Sequence, residues 1–359
     1  MAADLKILTV IGNRPQFVKA AAVSHRLREQ AREILVHTGQ HYDHELSQVF
    51  FEELGLPEPE HRFDLGGGSN TTQTARMLSA LELLLVSESP DLVMVYGDTN
   101  STLAGTLAAT QRGIPVAHVE AGMRSFDRTM PEELNRVLSD HAATLLLCSS
   151  ETSAANLRAE SVHGEVVVVG DVMVDVAQLL TPRARDRTDV LDDVGVESGG
   201  FVLVTAHRAG NVDDAARLER LVEVLAGVEE TVIFPLHPRT RTRLEATGLM
   251  AKLAAAPRVK LLAPLGYLEF TALLVHARAV LTDSGGVQKE AYLAGVPCVT
   301  LRSTTEWTET VDAGWNVLVD LDPEAAREAL ARHMPADRPQ LYGDGQAGER
   351  VVDALLNGR

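Results

Sequence analysis

Short, continuous apolar segments alternate with longer segments of helical spacing, and this alternation limits the possible folds most. Apolar runs rich in β-branched residues recur along the chain, at 5–11, 33–38, 91–97, 115–120, 144–150, 165–170, 201–207, 231–237, 258–264, 279–285 and 297–302. The segments between them, such as 18–30 and 101–113, carry Ala, Leu, Glu and Arg at helical spacing. Continuous apolar strands that alternate with helices indicate parallel sheets covered on both faces. The sequence therefore predicts an α/β fold.

A polar stretch near the middle of the chain divides this pattern into two halves. Residues 181–200 are rich in Asp and Arg, suggest a connection or surface excursion, and are followed by a new series of strands. The length of 359 residues also favours two domains over one. We predict two doubly wound, Rossmann-like domains with a central cleft, over 1–175 and 176–345. The last helix, within 346–359, is expected to pack back on the first domain.

Charge and composition exclude several classes of protein. The net charge of −17 argues against a nucleic-acid partner, which usually requires a basic face on the protein. No apolar run approaches the length of a membrane span and no secretory signal is visible, so we expect a cytoplasmic protein with no membrane partner. Cys148 and Cys298 lie within apolar runs, and we expect both to be buried free thiols.

Polar residues follow the predicted strands at the positions where parallel α/β sheets bind ligands, the carboxyl ends of the strands. The first half of the chain presents three such clusters, Gly12-Asn13-Arg14, Gly97-Asp98-Thr99 and Glu120-Ala121-Gly122. The second half presents His207-Arg208, His237-Pro238-Arg239 and Asp283-Ser284-Gly285-Gly286. We take these clusters as the candidates for a functional site.

The sequence Asp283-Ser284-Gly285-Gly286 has three interpretations. It resembles the serine loop of a trypsin-type protease, but that loop belongs to an antiparallel β-barrel, which this pattern does not predict. It also stands between a strand and a helix N-terminus, where free N–H groups and the helix dipole favour a phosphate and glycine allows close approach. Glu290, one turn into that helix, is then placed to accept hydrogen bonds from ribose hydroxyls. A simple tight turn is the third interpretation.

Two further motifs carry little weight. The sequence GDGQAG at 343–348 matches a dinucleotide-binding pattern, but it follows no predicted strand, so no NAD cofactor is expected. His41 and His44 are spaced for a metal, but no further ligand pattern joins them, and no metal is expected.

Several motifs occur in one order from residue 5 to about 355: GNRPQFVKAA, TGQHYD, YGDTNSTLAG, HVEAGMRS, MPEELNR, TAHR, LHPRT, LTDSGGVQKEA and LRSTTEWTE. Together they resemble the non-hydrolysing UDP-N-acetylglucosamine 2-epimerase family, including its branch that acts on UDP-2,3-diacetamido-glucuronic acid. The resemblance implies a glycosyltransferase-B type fold that needs no NAD and no metal. We also expect a homodimer.

The resemblance implies reversible C2 epimerisation of UDP-N-acetylglucosamine to UDP-N-acetylmannosamine. UDP is eliminated and added back through a 2-acetamidoglucal intermediate, and loss of the diphosphate from C1 helps the C2 proton to leave. This chemistry needs carboxylates near C1 and C2, and cations or N–H donors on the leaving group.

The residues of the site also follow from the resemblance. The catalytic positions of the family match Asp98, Glu120, Glu132 and His207. Its substrate and UDP contacts match Arg14, Lys19, Arg136, His237, Arg239, Ser284, Gly285, Gly286, Glu290, Arg302, Thr305 and Glu306. Arg136 is expected to orient Glu132 rather than to contact the substrate.

Several of these residues also have a purely structural interpretation. Asp98 can be a helix N-cap, Glu120 can belong to a buried ion pair, and Glu132 can be an acid that the helix dipole favours. His207 can be a strand-end residue bonded to backbone, and Lys19 can be a solvated surface lysine.

A second, regulatory site is the last feature that the resemblance implies. Gln40 and His41 match the start of the family's effector-binding motif, but Tyr42 and Asp43 stand where the motif continues with arginine and then glutamine or a similar residue. We therefore expect little or no activation by a second molecule of UDP-N-acetylglucosamine.

Other functions stay open on the sequence. The substrate can instead be UDP-2,3-diacetamido-2,3-dideoxyglucuronic acid, since several motifs look closest to that branch. A glycosyltransferase shares the predicted fold but needs an acceptor site and a single base. A hydrolysing relative would release UDP and free N-acetylmannosamine, and a non-catalytic nucleotide-sugar sensor would be favoured by loss of an acidic position, of which none is lost.

Overall fold

The computed structural model describes residues 5–40, 51 and 54–357. The chain divides into two compact units, Met1–Val176 with Tyr342–Arg359, and Ala177–Leu341. Each unit contains a parallel sheet with helices between most of its successive strands, so the predicted α/β class with two parallel sheets is confirmed.

The first unit contains β1 (Lys6–Ile11), α1 (Arg14–Arg28), β2 (Arg32–His37), β3 (His61–Arg62), α2 (Asn70–Glu88), β4 (Leu92–Tyr96), α3 (Asn100–Gln111), β5 (Val116–Ala121), α4 (Pro131–Ala142), β6 (Leu145–Cys148), α5 (Glu151–Ala159) and β7 (Glu165–Val168). The helix α6 (Val172–Arg185) follows β7. Within the described residues, the strand order is β3-β2-β1-β4-β5-β6-β7, and all neighbours are parallel.

The second unit contains α7 (Asp189–Val194), β8 (Phe201–Thr205), α8 (Ala209–Val212), α9 (Ala215–Ala226), β9 (Thr231–Pro235), α10 (Pro238–Ala246), α11 (Leu249–Ala254), β10 (Val259–Leu262), α12 (Tyr267–His276), β11 (Ala279–Thr282), α13 (Gly285–Ala294), β12 (Cys298–Thr300), α14 (Thr308–Asp312), β13 (Asn316–Leu318) and α15 (Pro323–Ala331). Its strand order is β10-β9-β8-β11-β12-β13. The last helix of the described residues is α16 (Ala347–Asn357), which belongs to the first unit.

Both sheets reverse their winding direction at one point, between β1 and β4 in the first unit and between β8 and β11 in the second. Ligands of open α/β sheets bind outside the carboxyl ends of the strands at such switch points. The polar clusters predicted from the sequence follow β1, β4, β5, β8, β9 and β11. The fold therefore places most of them at or beside the two switch points.

Continuous apolar sequence forms the central strands because helices cover both faces of each sheet. In β1 the side chains of Ile7, Leu8, Val10 and Ile11 are fully buried. Burying one such aliphatic side chain contributes roughly 1.5–3 kcal/mol. The stretch 181–200, predicted as a connection, is partly helical, because α7 buries Val190 and Leu191.

The terminal helix α16 packs against α1. A Cβ atom at Gly348 would lie 2.2 Å from the carbonyl oxygen of Ala22, so the two helices approach too closely there for any larger residue. The carboxylate of Asp175 accepts hydrogen bonds from the N–H groups of Ala347 and Gly348, at 3.1 and 2.9 Å. These contacts anchor the start of α16.

Two further expectations concern cysteines and membrane spans. Cys148 and Cys298 are free and buried, as predicted, and burial raises the pKa of each thiol to about 12. Among the described residues, the structure contains no helix with the length and apolar character to cross a bilayer.

Candidate active site

Asp98 stands directly after β4, where Gly97 turns the chain with a φ of +61°. Its carboxylate oxygen Oδ2 accepts a hydrogen bond of 3.0 Å from Nε of Arg136, and its backbone carbonyl accepts one of 3.0 Å from Nδ2 of Asn135. Thr99 is the N-cap of α3, so the interpretation of Asp98 as a helix cap is wrong. Asp98 is instead a partly exposed acid that α4 holds in position.

Glu120 lies near the end of β5, the neighbour of β4, and forms an ion pair with Lys19 of α1. Both side chains are largely buried. The register of β5 shifts between Val119 and Ala121, so Glu120 occupies a bulge, with a φ of +69°. A Cβ atom at Gly97 would lie 3.1 Å from Nζ of Lys19 and 3.5 Å from Oε2 of Glu120. The ion pair therefore lies beside the turn at Gly97, the residue before Asp98.

Glu132 is exposed on the first turn of α4, and Arg136 does not orient it as predicted. Arg136 contacts Asp98 and donates from Nη1 to the carboxylate of Glu133, at 2.8 Å. Glu133 is buried and also accepts the N–H of Ser125, at 2.9 Å. Glu132 and Glu133 precede Arg136 by four and three residues, so either acid is spaced to contact it along a helix. Glu133 makes the contact because it lies on the buried face of α4. Sequence reasoning missed Glu133, although its position in the same acidic pair was the available signal.

Arg14 is the first residue of α1, and Asn13 is the N-cap, so the cation follows β1 directly. Gln16, which sequence reasoning missed, joins the two strand ends at the switch point. Its Oε1 accepts the N–H of Gly12 at 2.7 Å, and its Nε2 donates to the carbonyl of Tyr96 at 2.8 Å. The ends of β1 and β4 are thereby held together beside Arg14.

The predicted regulatory residues can be placed only in part. Oε1 of Gln40 accepts hydrogen bonds from the backbone N–H and the hydroxyl of Ser101, at 3.1 and 2.7 Å. This amide therefore contacts the first turn of α3. His41 lies outside the described residues.

In the second unit, the carboxylate of Asp283 organises the switch point. It is fully buried and accepts hydrogen bonds from the N–H groups of His207 and Arg208, at 3.1 and 2.9 Å, and from Nδ2 of Asn211, at 3.2 Å. The end of β11 is thus tied to the end of β8. The ring of His207 is partly exposed and stacks on the ring of His237, with centroids 5.2 Å apart.

The helix α13 begins at Gly285, with Ser284 as the N-cap. Neither Gly285 nor Gly286 has a positive φ, so the backbone conformation does not require glycine at either position. A Cβ atom at Gly286 would meet no atom closer than 3.9 Å, so the absence of side chains leaves space at the first turn. The hydroxyl of Thr305 donates to Oε1 of Gln288 on the same helix, at 2.6 Å. These features suit an anion at the helix N-terminus better than a simple tight turn.

Two arginines flank the carboxylate of Glu306 beside this helix end. Arg302 lies 2.9 Å and Arg208 lies 3.4 Å from it, and the Cβ position of Gly285 is 3.5 Å from Oε2. Burial alone would raise the pKa of Glu306, but the charges of Arg302 and then Arg208 outweigh it, and the pKa is lowered. Arg208, the cation that immediately follows His207 in its strand-end cluster, is a further candidate for this site.

The remaining predicted contacts of the second unit are spread over α10 and α13. His237 is the N-cap of α10, and its Nδ1 accepts the N–H of Arg239 at 3.2 Å. Arg239 donates to the carboxylate of Asp213, whose pKa this hydrogen bonding lowers. The hydroxyl of Tyr267 lies 3.4 Å from Oε1 of Glu290.

The chain is similar to members of one protein family over almost its whole length. The family model described as UDP-N-acetylglucosamine 2-epimerase matches residues 25–356. A UDP-N-acetylglucosamine 2-epimerase homolog from Methanococcus maripaludis is 46% identical over 356 residues, which cover 98% of this chain and 100% of that protein. The UDP-2,3-diacetamido-2,3-dideoxy-D-glucuronate 2-epimerase of Pseudomonas aeruginosa is 46% identical over 364 residues, with 98% and 99% covered.

A solved structure supports the same relationship. The UDP-GlcNAc 2-epimerase of Methanocaldococcus jannaschii, in complex with UDP-GlcNAc and UDP, matches with a TM-score of 0.90 and 40% identity. The match covers 98% of this chain and 99% of that chain.

Proposed function

Because the chain belongs to the UDP-N-acetylglucosamine 2-epimerase family, we propose that it interconverts UDP-N-acetylglucosamine and UDP-N-acetylmannosamine without hydrolysis. The observation that carries this proposal is the edge of the first sheet, where Asp98 follows β4, Glu120 lies near the end of the adjacent β5, and each contacts a basic side chain. Inversion at a C–H centre needs positioned acids and bases, because one group takes a proton and another returns one.

In the proposed reaction, the bond between C1 and the diphosphate oxygen breaks, and its electron pair leaves with UDP. A carboxylate takes the C2 proton, and the electron pair of the C–H bond forms the double bond of 2-acetamidoglucal. UDP then adds back to C1 while an acid delivers a proton to the opposite face of C2. Asp98, Glu120 and Glu132 are the groups proposed for these proton transfers. Elimination and addition of UDP cause no net oxidation or reduction of the sugar, so the reaction needs no redox cofactor.

We propose that the second unit holds the leaving diphosphate at the N-terminus of α13. The bare turn formed by Ser284, Gly285 and Gly286 offers backbone N–H groups and the positive end of the helix dipole. Arg302 and His207 add a cation and a donor that stabilise negative charge as it develops. The further contacts proposed for the substrate and nucleotide are Arg14, Lys19, His237, Arg239, Glu290, Thr305 and Glu306. Arg136 is proposed to orient Asp98 instead.

A second candidate substrate is UDP-2,3-diacetamido-2,3-dideoxyglucuronic acid. The observation that favours it is the similarity to the Pseudomonas aeruginosa enzyme, which is as high as that to the Methanococcus maripaludis homolog. Both substrates share the reacting C1–C2 centre and the UDP group, so the residues proposed above serve either one.

The test is to incubate the purified protein with each UDP-sugar in D₂O, with EDTA and without NAD, and to follow the sugar by NMR. We expect the C2 epimer of the preferred substrate, with deuterium at C2. A requirement for NAD, or label confined to C4, would contradict elimination. Accumulation of free N-acetylmannosamine would favour a hydrolysing enzyme, and transfer of the sugar to an acceptor would favour a glycosyltransferase.

We further propose that the protein acts in the cytoplasm as a homodimer. Leu134 and Leu138 are exposed one turn apart on α4, and Leu83 and Val86 are exposed on α2. A second copy of the chain could cover these side chains. Light scattering should give twice the mass of the chain, and Leu134→Glu with Leu138→Glu should shift it toward the mass of one chain.

A further inference from the structure

We infer that Asp140 and His118 are positioning residues that hold the acids of the first unit in their reactive geometry. This inference rests on the proposed function, because it assigns the two residues a role in the same reaction. Neither side chain can reach a substrate, since both are fully buried beneath the sheet edge. Their effect must pass through the backbone segments that carry Glu120 and Asp98.

Glu120 needs such support because of its backbone conformation. Its φ of +69° lies in the left-handed region, which residues with a Cβ atom adopt at a cost. The bulge between Val119 and Ala121 also removes Glu120 from the regular pairing with β6. The strand alone would therefore not hold this residue, and the surrounding contacts must fix it.

Asp140 supplies these contacts on both sides of the bulge. Its Oδ1 lies 2.7 Å from Nδ1 of His118, two residues before Glu120. Its Oδ2 accepts a hydrogen bond of 3.1 Å from the N–H of Gly122, two residues after Glu120, and one of 2.7 Å from Nη1 of Arg124. One buried carboxylate on α4 therefore bridges the two ends of the strained segment.

His118 extends the same network to the second acid. Its Nε2 lies 2.7 Å from the carbonyl oxygen of Gly97, the residue before Asp98. Both ring nitrogens thus lie within hydrogen-bond distance of an oxygen atom, and the ring links the turn before Asp98 to the carboxylate of Asp140. The pKa of Asp140 fits this arrangement: burial alone would raise it, but His118 and then Arg124 lower it.

A purely stabilising network is the alternative, and the chain offers a matched control for it. Asp175 also lies in the first unit, is largely buried and accepts two backbone N–H groups, but it anchors α16 instead. Asp175→Asn should therefore lower the melting temperature while kcat of the folded enzyme stays near that of the wild type.

The experiment compares Asp140→Asn, His118→Gln, His118→Ala and Asp175→Asn with the wild type in the epimerisation assay. A small misplacement of reacting groups lowers rates by about 10²-fold, so we expect kcat of Asp140→Asn to fall on that scale, with KM changed little. His118→Gln retains a donor for the carbonyl of Gly97 and loses the link to Asp140. It should be less impaired than His118→Ala.

Two measurements separate the outcomes. In the wild type, the ¹⁵N spectrum of His118 should show that both ring nitrogens are hydrogen-bonded, and a ring nitrogen without a hydrogen bond would overturn the inference even if Asp140→Asn fails to fold. An active wild type whose Asp140→Asn variant keeps normal kcat, or loses no more kcat than Asp175→Asn, would overturn the inference alone. A wild type inactive on both UDP-sugars would instead reject the proposed function, and the inference with it.

Discussion

The Nε atom of Arg136 lies 3.0 Å from Oδ2 of Asp98 and joins α4 to the end of β4. If this contact orients a catalytic acid, Asp98→Asn should lower kcat by about 10²–10⁴-fold, the usual scale for a positioned acid or base. Arg136→Lys keeps the charge but loses the planar fork, so its kcat should fall less. The control is Asp91→Asn, which removes the carboxylate that accepts the N–H of Lys6, before β4 begins. A variant at position 98 with normal turnover would remove Asp98 from the mechanism.

The ion pair of Lys19 and Glu120 allows stability and catalysis to be separated. Lys19→Met should leave a largely buried carboxylate without its cation, which typically costs about 3–5 kcal/mol of the free energy of unfolding. The double variant Lys19→Met/Glu120→Gln removes both charges and should regain much of that stability. Its kcat should nevertheless stay at the low level of Glu120→Gln. Urea denaturation and initial rates measure the two effects, and a double variant that regains turnover would disprove catalysis by Glu120.

Glu132 and Glu133 should respond oppositely although they are adjacent. Glu132 is exposed, so Glu132→Gln should leave the urea midpoint unchanged while kcat falls by about 10²–10⁴-fold. Glu133 is buried against Arg136 and Ser125, so Glu133→Gln should lower the midpoint as well. If Glu132→Gln keeps full activity, the family resemblance assigns the wrong acid.

These two acids also mark how far the sequence predicts the structure. Strand and helix alternation is local, and it was sufficient to predict two parallel sheets and the strand ends that carry Asp98 and Glu120. The rotation of α4 about its axis is set by packing instead, and it decides that Arg136 contacts Glu133 rather than Glu132.

Contacts distant in sequence were not predictable for a related reason. His118 appeared only as a polar residue within an apolar run, and its partner Asp140 is 22 residues away on another element. Likewise, the carboxylate of Asp283 contacts the N–H of His207, 76 residues earlier. Such pairs arise from the strand order, which places β4 beside β5 and β8 beside β11.

The pH dependence of stability should report the carboxylate of Glu306. Its pKa is lower in the folded protein than the ordinary value of about 4.3, so it contributes stability above that value. This contribution is lost as the pH falls through the folded pKa. The difference in free energy of unfolding between wild type and Glu306→Gln should therefore be constant from neutral pH down to about 5 and should shrink below about 4. A difference that grows on acidification would contradict the sign of the shift.

Regulation by a second substrate molecule should be weak or absent. The side-chain oxygen of Gln40 accepts hydrogen bonds from Ser101. Tyr42 and Asp43 stand where the effector-binding motif of the family continues with an arginine. A tyrosine lacks the charge and fork of arginine, and an aspartate repels a diphosphate. An effector changes the active site only while it is bound, so an effector site that binds weakly gives little activation. The reverse reaction, started from UDP-N-acetylmannosamine alone, should begin without a lag and follow hyperbolic kinetics. Added UDP-N-acetylglucosamine should accelerate the initial rate by less than the roughly fivefold lower end of typical allosteric coupling. A strict requirement for traces of UDP-N-acetylglucosamine would show that other residues build the effector site.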